Sequence, residues 1–129
     1  MTHPITLLQE ALVAAWRADA TLAVPVFDAP PKGQAGSYVA IVRHDIRARE
    51  GDLAPGYEHR LLLHVWHDQP SRAAALEIAE TLMATALEVD SMELAVTFRQ
   101  HAGTDTVIDT KTGRARAAVT LRFFTEPTT

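Results

Sequence analysis

From Ala117 to Phe123 the chain alternates without a break. Ala117, Val119, Leu121 and Phe123 are apolar, while Arg116, Ala118, Thr120, Arg122 and Phe124 take the positions between and beside them. Successive side chains of a strand point to opposite faces, so this pattern demands a strand with one buried face. Met92 to Gln100 repeats it, with Met92, Leu94, Val96 and Phe98 expected inward and Glu93, Ala95, Thr97 and Arg99 outward. Tyr57 to Trp66 sets His59, Leu61, Leu63 and Val65 on one face and Glu58, Arg60, Leu62, His64 and Trp66 on the other. Strands of this kind form an antiparallel sheet with one face packed and one freer.

Two helical segments can supply the packing. Pro4 suits the first turn of a helix running to about Ala18, capped by Thr2 or His3. At 100° per residue, Ile5, Leu8, Leu12, Ala15 and Trp16 gather opposite Thr6, Gln9, Glu10, Val13 and Arg17. The second helix starts between Asp68 and Ser71 and runs to about Val89, with a core stripe of Ala75, Ile78, Ala79, Leu82 and Ala86 and with Glu77, Glu80 and Glu88 opposite. Val24 to Asp28 is a short strand at best, Tyr38 to Ile46 a longer one, and residues 51–56 a loop. The expected fold is α+β, a mainly antiparallel sheet with two helices packed on one face, as a single domain over residues 1–129.

Composition narrows the function. The chain has 129 residues and no cysteine, which excludes disulfides, thiolate metal sites and cysteine nucleophiles. No apolar run approaches the roughly 20 residues of a membrane helix, and the opening Met-Thr-His-Pro lacks the basic cluster of a signal peptide. A net charge of −4 is the wrong sign for gripping phosphate backbones over the whole surface.

No catalytic, cofactor or metal site is marked. The six histidines hold no ligand spacing: His59 and His67 share a face but lie roughly 26 Å apart along an extended strand, and His44-Asp45 has no partner at ligand spacing. There is no His-Glu-x-x-His helix, glycine-rich phosphate loop or Gly-x-Ser-x-Gly elbow. The carboxylates of the second helix form a solvated face.

Apolar residues outside the expected core are more informative. Leu62, Trp66 and Phe124 occupy the face opposite the core stripes, beside Arg60 and Arg122. Leu76, Met83 and Leu87 form a flank on the second helix that meets either the first helix or a neighbouring subunit. Apolar patches with Trp and Arg are typical of protein contacts. Gly103 to Arg116 is expected to protrude as a hairpin or loop turning at Lys111-Thr112-Gly113. Lys111, Arg114 and Arg116 would then offer a basic tip to an acidic protein, to passing DNA or to solvent alone.

The order of motifs carries a resemblance. Val26-Phe27-Asp28-Ala29-Pro30-Pro31 followed by Tyr38-Val39-Ala40-Ile41, then Leu61-Leu62-Leu63-His64-Val65-Trp66 before a helix, then Ala118 to Phe123 with Thr125-Glu126, is similar to the tail-completion (tail-terminator) family of phages, prophages and gene transfer agents. Ser37 stands where that family's pattern has proline. The resemblance implies a structural subunit rather than an enzyme, without cofactor or metal, that closes into a ring, commonly a hexamer. It implies a virion tail location, assembly in the bacterial cytoplasm, and contacts with itself, the tail tube protein and the head-side connector or stopper. DNA would only pass through the lumen, and no membrane is involved. The competing reading is a small ligand-binding α+β domain using a hollow between sheet and helices.

Overall fold

The computed structural model describes residues 2–49 and 55–128, so most of the loop expected at 51–56 lies outside the described residues. Helix α1 (Pro4–Ala18) precedes strands β1 (Val26–Phe27), β2 (Tyr38–Arg49) and β3 (Gly56–His67). Helix α2 (Arg72–Ala86) and strands β4 (Leu94–Asp109) and β5 (Arg114–Pro127) follow. The five strands form one sheet in the order β1-β2-β3-β5-β4, antiparallel except where the short β1 pairs with β2. This is the α+β architecture expected from the alternation.

Each helix begins where the sequence supplies a cap. The His3 side chain accepts from the Ile5 N–H ahead of Pro4, and Ser71 Oγ accepts from the Ala74 N–H. Both satisfy amide groups that a helix start leaves without a partner. Leu8, Leu12 and Trp16 of α1 and Ala75, Ala79, Leu82 and Ala86 of α2 are buried. They pack on Leu61, Leu63 and Val65 of β3 and Ala117, Val119, Leu121 and Phe123 of β5. The alanines of α2 let its backbone approach the sheet, and the larger residues of α1 fill the remaining space. Trp16 Nε1 donates to the Leu82 carbonyl at 3.0 Å, joining the helices inside the core. Ile108, Met83 and Val96 pack against this core from its margin.

Strand β4 departs from simple alternation. Its register against β5 shifts between Val96 and Phe98 and again between His101 and Gly103, so Thr97 and Ala102 are bulges. The first bulge exchanges the faces of the residues after it. Phe98, expected inward, lies opposite Phe124 on the outer face, and Arg99, expected outward, lies opposite Phe123 on the helix side. Arg99 donates there to the Val89 carbonyl from Nε at 3.0 Å and pairs with Asp90 at 2.8 Å, pinning the segment that leaves α2. Met92, also expected inward, precedes the strand and is 98% exposed.

Candidate assembly interface

Among the described residues only one face of the sheet carries helices. The other face holds alternate residues of four strands, and the register brings them into rows. Tyr38 lies opposite Trp66, and Trp66 opposite Arg116. Arg47 lies opposite Glu58, Glu58 opposite Phe124, and Phe124 opposite Phe98. Leu62, Trp66, Phe124 and Arg122 therefore share this face, as their alternation predicted.

The face is not a bare apolar patch, however. Phe98 and Phe124 stack with ring centroids 4.6 Å apart. The Arg49 guanidinium sits 3.9 Å above the Phe124 ring, and that of Arg122 lies 5.2 Å from it. At the other end Arg114 lies 5.4 Å from the Tyr38 ring and 5.9 Å from the Trp66 ring. Arginine over an aromatic face gains cation–π attraction while keeping its charge toward water. The aromatics are thus half-buried beneath cations, and the surface offered outward is charged.

Seven arginines lie on this face: Arg43, Arg47 and Arg49 from β2, Arg60 from β3, and Arg114, Arg116 and Arg122 from β5. Carboxylates are interspersed. Arg43 pairs with Asp45 at 2.7 Å, Arg122 with Glu58 at 3.1 Å and Arg116 with Asp105 at 3.0 Å. The Arg122 hydrogen bond, helped by the charges of Arg122, Arg60 and Arg47, holds the Glu58 carboxyl below its usual value. A hollow of about 320 Å³ on this face is framed by Arg43, Arg47, Arg60, Asp45 and Glu58. Most of the chain's cations therefore collect on the uncovered side of a net acidic protein.

The other expected contact residues divide. Leu76 is 38% exposed on α2, while Met83 packs on the core, so the flank is not one continuous ridge. Leu87 is the C-cap of α2 and half-buried. The 103–116 segment is a hairpin in which β4 continues to Asp109 and β5 starts at Arg114, turning through Gly113 at φ 69. Positive φ at this turn suits glycine. Contrary to the expectation of a protruding element, the base of the hairpin joins the protein's own core through Ala115 and Ile108. Lys111 is exposed at the turn. Arg114 instead reaches back to the Gln34 and Gly36 carbonyls, and Arg116 to Asp105. Ser37 accepts from the Asp68 N–H at 3.1 Å, a link that a proline at this position could not make.

Sequence reasoning missed a polar chain inside the fold. The Gln9 amide nitrogen lies 3.0 Å from His44 Nδ1, His44 Nε2 lies 2.8 Å from His59 Nδ1, and His59 Nε2 lies 2.8 Å from Thr125 Oγ1. His59 and Thr125 are fully buried. Burial, with the neighbouring histidine charges, lowers His44 to about 3; burial, with His3, lowers His59 to about 4. Both rings are thus neutral, and both can donate from Nε2. No group of three potential ligands that could hold a metal occurs among the described residues. The chain reads as a satisfied polar strut through the core.

A groove of about 470 Å³ runs along the outer side of α1, lined by Thr6, Gln9, Glu10, Val13, Arg17 and Asp28. It does not lie between sheet and helices, where packed side chains fill the space. No described helix is long and apolar enough to cross a membrane.

Helices thus close the core on one side of the sheet, and arginines seated on aromatics line the other. The family described as "Tail completion protein gp17" matches residues 10–126, and the chain belongs to that family of structural phage tail proteins. A chain in the virion of a native gene transfer agent particle superposes with a TM-score of 0.80 at 24% identity, covering 97% of this chain and 99% of that one. The gp17 protein of bacteriophage SPP1 superposes with a TM-score of 0.62 at 20% identity, covering 92% and 88%. No curated protein matches.

Proposed function

We propose that copies of this chain close into a ring, most simply a hexamer, that ends the tail tube and presents a docking surface to the head-side connector. The observation that carries this reading is the tail-completion match across residues 10–126, on a subunit with one sheet face uncovered. A tube that grows by adding identical layers stops when a layer offers it a different surface. A ring built from a different chain supplies such a layer. Its lumen must let DNA slide, and a net charge of −4 per subunit gives phosphate few anchors. Lys111 and the hairpin turn offer a small contact to an acidic tube or connector surface, outside the arginine face.

Deleting the gene from the particle that encodes it tests the role. Electron microscopy should then show tails of irregular length that are not joined to heads, and supplying the chain in trans should restore both. Tails of normal length joined to heads without it would contradict the role.

A further inference from the structure

The charges of the subunit are segregated by layer. Between Arg72 and Arg99 the chain carries Glu77, Glu80, Glu88, Asp90 and Glu93 and no cation. Along α2 (Arg72–Ala86), Arg72, Ala73, Leu76, Glu77, Glu80 and Ala84 are exposed, with Glu88 exposed just past its C-cap, so this side of the helix is acidic beyond its basic first residue and carries Leu76 as its one large apolar side chain. It lies in the helical layer, on the far side of the sheet from the arginines. Each copy thus carries a basic face and an acidic face that complement one another and cannot meet within one molecule.

We propose that the open sheet face of one copy receives the acidic α2 ridge of the next, as the ring-building contact. The inference rests on the ring reading and names the two surfaces that make it. Because the surfaces belong to opposite layers, the contact is heterologous: every copy uses one on each side, and it closes a ring where the rotation between copies divides a full turn without rise, an open filament being the alternative. The hollow framed by Arg43, Arg47 and Arg60 suits a row of carboxylates, and Asp45 and Glu58 keep those guanidinium groups extended and oriented. Among the described residues Arg47 has no carboxylate within salt-bridge distance, and its charge acts at longer range on Glu58 opposite it. The exposed face of four strands spaced about 4.8 Å apart, each about twelve residues long, measures roughly 700–800 Å². The α2 ridge, 15 residues at about 1.5 Å each and about 10 Å wide, covers roughly a third of that face, so segments flanking the helix must share the contact. Nucleic acid suits the face less well, because its own carboxylates would lie against the phosphates.

A charge swap tests the contact. One variant carries Arg43→Glu, Arg47→Glu and Arg60→Glu, and the other Glu77→Lys, Glu80→Lys and Glu88→Lys. Sedimentation velocity at low salt should find the parent in rings and each variant monomeric with an unchanged melting temperature. An equimolar mixture should restore rings, since each reversed face then meets an opposite charge. Rings formed by either variant alone, or a mixture that stays monomeric beside a ring-forming parent, would overturn this contact and leave the ring reading intact. A monomeric parent would overturn the ring reading and this contact with it. Should a triple variant misfold, Arg47→Glu alone should raise the concentration for half-assembly about tenfold, and an unchanged value would overturn the contact. Intact rings from the arginine variant with loss only of DNA retention would reassign the face to nucleic acid.

Discussion

His44 Nε2 and His59 Nδ1 lie 2.8 Å apart across the β2–β3 pair, held between Gln9 and Thr125. The arrangement works with neutral rings. A proton added to His59 Nδ1 would face the N–H of His44, and a proton on His44 Nδ1 would face the Gln9 amide.

The pH dependence follows from these lowered values. The unfolded chain protonates its histidines near the ordinary 6.5, whereas folded His59 and His44 resist until about 4 and about 3. Between those limits the unfolded state binds more protons, so stability is intact above about pH 6.5 and is lost as pH falls. The expected loss by about pH 5 is roughly 2–4 kcal/mol, read from urea midpoints against those at about pH 7.5. An unchanged midpoint would contradict neutral, buried rings.

The stack of Phe98 on Phe124 should appear as a coupling energy. Leucine at each position, singly and together, forms a double-mutant cycle whose interaction should be about 0.5–1.5 kcal/mol. Additive effects would mean that the rings do not meet in solution, and the bulge at Thr97 would then be misplaced.

Arg114 ties the hairpin base to the turn before β2 through the Gln34 and Gly36 carbonyls. Arg114→Ala should lower stability by about 1–3 kcal/mol and speed hydrogen exchange across residues 32–37. Lysine should recover little, because one ammonium cannot serve two carbonyls and lie over Tyr38 as a planar fork does. Protection equal to the parent's would show the contact to be idle.

Trp16→Phe keeps most of the ring but removes the bond to the Leu82 carbonyl. A cost of about 1–2 kcal/mol is expected, against about 3–5 kcal/mol for Trp16→Ala, which leaves a cavity. Equal losses for both variants would place the whole contribution of Trp16 in the hydrogen bond.

Much of this was legible in the chain, for particular reasons. Ala117 to Phe123 kept a strict period of two in a strand paired on both sides, so its faces followed directly. The edge strand β4 did not. A bulge at Thr97 leaves little mark in composition, yet it reversed Phe98 and Arg99, while Met92 lies outside the sheet because the strand begins only at Leu94. The arginine face was half legible. Alternation put Leu62, Trp66 and Phe124 outward, but that arginines cover the aromatics depends on register between strands far apart in sequence. His44 and His59 are 15 residues apart, and their contact depends on the same register.

The proposed role requires copies of this chain to close into a ring. Negative-stain electron microscopy of the purified chain, alone and mixed with tail tube protein, tests it most directly. Rings of uniform size with an open centre, seated on tube ends and absent from tube walls, are expected. Single copies only, or open filaments with tubes that lengthen unchecked in their presence, would contradict it.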